Sequence, residues 1–78
     1  MQIIVVEPVQ KGWSVTVPGI DNPLMYSKGA DAEKAGRELA LRLAERGEDI
    51  QLEIRLQSGA LAAKFMVLAA DQPTSVRL

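Results

Sequence analysis

Glu48 and Asp49 are adjacent carboxylates, and paired carboxylates are what general acid–base catalysis or a bound Mg²⁺ ion calls for. Glu33, Glu38 and Glu45 add three more acids, but they are interleaved with Arg and Lys as on a solvated helix face. The rest of the catalytic inventory is thin. The chain has no histidine, hence no imidazole base, Ser–His or Cys–His arrangement or imidazole metal ligand. It has no cysteine, hence no disulfide framework and no thiolate zinc site. Its glycines are scattered and form neither a GxGxxG nor a GxxxxGK phosphate cradle. The sequence therefore predicts a protein that is not an enzyme, with no catalytic residue, no cofactor and no metal.

Lys11, Arg55 and Lys64 are the cations that could line one sheet face against nucleic acid. Nine basic residues against ten acidic ones give a net charge of −1, which argues against binding by bulk electrostatics. One Trp, one Tyr and one Phe leave little for base stacking, and Trp13 shares its strand phase with Val15 and Val17, as a core residue does.

The element that must position these groups runs from Asp31 to Gly47. Ala, Leu, Glu, Arg and Lys dominate it, all good helix formers. Asp31 is the expected N-cap and Gly47 the expected C-terminal stop. Steps of 100° place Ala32, Ala35, Gly36, Leu39, Ala40 and Leu43 on one stripe. The opposite side pairs Glu33–Arg37, Lys34–Glu38 and Glu38–Arg42 at i, i+4, each worth roughly 0.2–0.5 kcal/mol. Gly36 inside the apolar stripe is explained by close approach to the sheet or to a ring such as Trp13, or by plain tolerance. Leu41 points into the charged face and is the helix's exposed apolar residue.

Around the helix the chain alternates as strand. Gln2–Val9 is apolar on both faces over Ile3–Val6, which suits a central strand, and Pro8 limits its ladder. Trp13–Val17 alternates cleanly and reads as nearer an edge. Pro18–Pro23 is a dense turn cluster, with Leu24–Ser27 a short continuation beyond it. Ile50–Gln57 alternates without error, Ser58-Gly59 marks a hairpin, and Ala60–Ala69 is apolar on both faces except at Lys64. Residues 71–78 read as a disordered tail behind a single domain over residues 1–70.

The expected fold class is α+β: β-β-α-β-β, with one helix packed on one face of a four-stranded mixed or antiparallel sheet. The first and last strands are expected as central neighbours, with the second and third at the edges. At 78 residues the core is thin, because a chain of this size buries only about 60% of its unfolded surface. Oligomerisation is a common remedy. The predicted second sheet face carries an apolar stripe of Ile3 and Val5 (or Ile4 and Val6) with Ala62, Met66 and Leu68, rimmed by Ser14, Thr16, Gln51, Glu53 and Arg55. The expected assembly is a homodimer, by sheet stacking or edge pairing. Met66, Leu68, Ala62, Val5 and Leu41 are the candidate partner-binding residues, and an unidentified protein partner is expected as well. No apolar run approaches the roughly 20 residues of a membrane span, and the N-terminus has no basic region followed by an apolar one. A cytoplasmic protein is expected.

Gly12-Trp13-Ser14-Val15, Ser27, Arg37-Glu38-Leu39-Ala40 and the Ile50–Gln57 strand with Gly59 together resemble a family of short bacterial β-β-α-β-β domains of unknown function. The N-terminal half also resembles HicB-like antitoxin domains. There the similarity lies in Val15-Thr16-Val17-Pro18-Gly19-Ile20 and in Ser27-Lys28-Gly29-Ala30-Asp31-Ala32-Glu33-Lys34-Ala35. The hairpin after the helix departs from that pattern. The second resemblance implies a regulatory domain that binds a small RNase toxin.

Overall fold

The computed structural model describes residues 1–69, so the expected tail at 71–78 lies outside the described residues. β1 (Gln2–Val9) and β2 (Gly12–Thr16) form a hairpin, β3 (Leu24–Tyr26) follows the proline-bounded break, and α1 (Gly29–Glu45) leads to a second hairpin of β4 (Ile50–Arg55) and β5 (Leu61–Val67). The strands stand in the order β3-β2-β1-β4-β5, all antiparallel except the β1–β4 pair, which is parallel. The α+β class and the single helix on one face agree with the sequence reading. The sheet has five strands rather than four, because Leu24–Tyr26 turns back and pairs with β2, Tyr26 opposite Trp13.

The lateral placement differs from expectation more sharply. β1 is central, but its parallel neighbour is β4, and β5 lies at the edge. The alternation of β4 records two unlike faces, one under the helix and one open. It carries no information about lateral position. The β1–β4 register ends at Val6–Ile54. Pro8 has no N–H to offer the next bond, so that ladder stops where the sequence expects.

The core lies between α1 and one sheet face. Ile4, Val6, Val15, Val17, Ile50, Leu52 and Ile54 point up from the sheet, and Ala32, Ala40 and Ala44 point down from the helix. Of the predicted stripe, Ala32, Gly36 and Ala40 are fully buried and Ala35, Leu39 and Leu43 half-buried, while Ala44, outside the predicted stripe, is buried as well. The helix begins two residues before the expected cap. Lys28 is the extended N-cap, with no side-chain cap bond, and Asp31 sits in the first turn, where its charge still complements the helix dipole. The early start follows from packing: Gly29 lies so close to the Trp13 ring that a Cβ there would come within 2.8 Å of it. At the other end Gly47 takes φ +97. Its N–H donates to the Ala44 carbonyl at 3.0 Å and the Glu48 N–H to that of Leu43 at 3.3 Å, the paired bonds of a Schellman stop. Among the described residues no helix is long and apolar enough to cross a membrane.

Gly36 sets the helix–sheet distance. A Cβ on it would meet Val6 Cγ2 at 2.8 Å and Leu52 Cδ1 at 3.2 Å, so the close approach is to the sheet and not to Trp13. Helix propensity favours Gly36→Ala by about 1 kcal/mol, while overpacking a buried β-branched neighbour costs about 1–3 kcal/mol. The expected outcome of Gly36→Ala is a net loss of about 1 kcal/mol in denaturant unfolding. In a Val6→Ala background the same substitution should turn stabilising, because the methyl it strikes is gone.

Candidate functional site

β5 is the longer of the sheet's two edge strands. Among the described residues it has a strand on one side only. The Gln2 N–H donates to the Asp49 carbonyl at 3.0 Å. Alternation along the β1–β4 ladder then directs the main-chain groups of Gln51, Glu53 and Arg55 toward β1, and those of Ile50, Leu52 and Ile54 toward β5. Their register partners Val67, Phe65 and Ala63 use their own groups inward. The N–H and C=O of Lys64 and Met66 therefore point away from the sheet, along its outer edge, and a shift in register at Ala62 ends that alternation. The hairpin is closed by Gln57-Ser58-Gly59, with Gly59 at φ +88 and the Leu56 N–H on the Ala60 carbonyl at 2.8 Å. The far end of the strand is tied down by the Ala69 N–H, which donates to Asp49 Oδ1 at 2.8 Å.

Both faces of this edge are apolar and exposed. Met66 is 49% exposed on the open face, and Phe65 is 38% exposed on the helix side. The helix lies over β1, β4 and β2 and barely reaches β5. Phe65 is covered instead by the Arg37 guanidinium, 4.4 Å from its ring centroid. A slip in register places Leu61 opposite Arg55 and Ala63 opposite Ile54, so Ala62 is the extra residue of a bulge. Long apolar edges are what soluble proteins ordinarily blunt with charge, proline or a covering element. Within β5 the only charge is Lys64.

The open face is not the continuous apolar stripe expected from the sequence. Val5 pairs with Glu53, Glu53 with Lys64, Ile3 with Gln51, and Gln51 with Met66. A polar row therefore runs between the two apolar groups instead of around them. Glu53 anchors the row: its Oε1 accepts from Arg55 Nη2 at 2.6 Å and its Oε2 from Gln51 Nε2 at 2.6 Å. The bond from Arg55, with that from Gln51 second, holds the Glu53 carboxyl below its ordinary value of 4.5.

The five candidate partner-binding residues do not form one patch. Val5 is half-buried on the open face across the polar row from Met66, and Ala62 sits at the bulge. Leu68 follows the last paired residue of β5, and Leu41 is exposed on the outer side of the helix. Leu61 and Phe65, absent from that set, belong to the exposed edge. Their signal was present in the apolar character of both faces of Ala60–Ala69, which suits a central strand and an adhesive edge equally. Lys11, Arg55 and Lys64 do not gather into a cationic patch: Arg55 is bound to Glu53, Lys64 lies opposite Glu53, and Lys11 is in the β1–β2 turn. Glu48 and Asp49 serve the architecture, Glu48 Oε1 accepting from Gln2 Nε2 at 2.8 Å and Asp49 holding Ala69. Among the described residues no group of three or more potential ligands could hold a metal ion.

Comparisons of the chain with protein-family models, with curated proteins and with solved structures return no match.

Glu53 gives a pH signature. In the folded protein its carboxyl loses its proton more readily than in the unfolded chain, so ionisation favours folding at neutral pH. That contribution is expected to disappear as pH falls below 4.5 and through the depressed folded value. Unfolding midpoints at pH 7 and pH 3 should converge in Glu53→Gln relative to the native chain. Equal pH dependence in the two would show that Glu53 is not the group responsible.

Proposed function

We propose that the protein is a non-enzymatic interaction module that self-associates through its sheet. One observation carries the reading: a seven-residue edge strand, unpaired along its outer side among the described residues and apolar on both faces except at Lys64, ends a sheet that one helix only partly covers. Pairing that edge would satisfy main-chain groups and remove Phe65, Met66 and Leu61 from water in a single step. It also offers a small core additional burial without a disulfide or a metal. An intracellular setting suits a chain with no cysteine.

A second reading is a regulatory domain resembling the HicB-like antitoxins, which would bind a small RNase. Its support is the strand–loop–helix entry: β2 runs into the Pro18 loop, Ile20 is exposed there, and α1 begins at Gly29. A partner at that loop would leave β5 untouched.

Light scattering over a concentration series separates the readings. The expected mass rises to twice that of the chain and stops there. A constant single-chain mass up to millimolar concentration would sink self-association and leave a separate protein as the partner.

A further inference from the structure

We infer that the protein also binds a small planar aromatic carboxylate, in a cleft at the end of the sheet where the tips of its two hairpins part. No residue of β5 lines this cleft, so the site is independent of the self-association proposed above.

The cleft originates in the β1–β4 ladder. The two strands stay in register only as far as Val6 and Ile54, and Pro8 has no N–H with which to continue. β1 goes on beside β2 as far as Val9 and Gly12, while β4 leaves for its own turn after Arg55. Between the tips lies a cleft of about 680 Å³. Small-molecule sites span roughly 300–1,000 Å³, so the space suits a ligand of one or two rings. Alternation from Val6, Val15 and Ile54 puts Pro8, Trp13 and Leu56 on the helix side, and these three supply the apolar wall. Lys11, Ser27 and Gln57 supply polar groups around it.

Three features specify the ligand. Trp13 is held in place: Gly29 packs so closely that a Cβ there would lie 2.8 Å from the ring's Cε2, and Tyr26 is the cross-strand neighbour. The part of the indole left uncovered borders the cleft, a fixed surface on which a second flat ring stacks without ordering a mobile side chain. Leu56, 52% exposed, adds apolar area to the same wall. Among the described residues, Lys11 is the one charge in the lining, so the cleft is complementary to an anion and not to a cation. A single ammonium matches the single charge of a carboxylate. Lys11 also takes φ 68, a left-handed conformation that glycine or asparagine adopts with less strain. The turn therefore carries its cation at a position where the backbone favours other residues.

The chain has one tryptophan, so the indole N–H resonance of the isotope-labelled full chain reports on this cleft alone. The test is a titration with naphthoate beside one with naphthamide, the uncharged probe of the same shape. Naphthoate should displace the resonance saturably, and the amide should bind about threefold more weakly, the size of one exposed ion pair. Lys11→Asn, which suits the left-handed turn, should leave the chain at least as stable and reduce naphthoate to the affinity of the amide. Lys11→Arg should retain the preference. A resonance that neither probe moves, or that moves without saturating, overturns the site. Equal affinity for the two probes, or undiminished naphthoate binding by Lys11→Asn, overturns its assignment to an anion. Each result reads the same whether light scattering finds one copy or two, so the cleft and the self-association fail separately.

Discussion

An α-helix with its side chains is about 10 Å wide, whereas five strands spaced about 4.8 Å apart set their outer members about 19 Å from each other. One helix cannot cover that width. Lying over β2, β1 and β4, α1 buries the middle of the sheet and leaves β5 largely outside its shadow. Everything distinctive about the surface follows from this shortfall. Phe65 is half-covered by a guanidinium instead of a helix, and the apolar residues of β5 meet water on both faces.

Close contact in the middle compensates in part for the narrow reach. The buried side of the helix is built from Ala32, Gly36, Ala40 and Ala44, residues that add almost no bulk of their own. They allow α1 to sit directly on Val6 and Leu52, so that the larger sheet side chains fill the space between the layers. A helix with leucines in those places would stand farther off and bury the same sheet less tightly. Small residues thus make a thin core dense, but they do nothing to widen it.

Away from the helix the open sheet face is organised around a single carboxylate. Glu53 collects the amide of Gln51 and the guanidinium of Arg55, and its cross-strand neighbour is Lys64. The row keeps that face hydrated and divides Ile3 and Val5 from Met66. The face and the edge are consequently unlike surfaces: one carries bonded charges through its centre, and the other is almost free of charge. That difference is the reason for preferring the edge to the face in the association proposed above.

Local pattern was enough to determine the type of nearly every element: the helix with its Gly47 stop, the two hairpins, and which side of β4 and of the helix faces inward. Hydrophobic period and turn chemistry act over a few residues, so they are legible wherever the chain obeys them. The α+β class followed from the same signals. Lateral order did not. Alternation in Ile50–Arg55 reports that its two faces differ, not where the strand stands in the sheet, and apolar residues on both faces of Leu61–Val67 are compatible with a centre or an edge. The parallel β1–β4 pairing, the separate strand at Leu24–Tyr26 and the helix start at Gly29 depend on contacts between residues far apart in sequence. The close packing of Gly29 on Trp13 and of Gly36 on Val6 and Leu52 belongs to the contacts that set where the helix lies on the sheet.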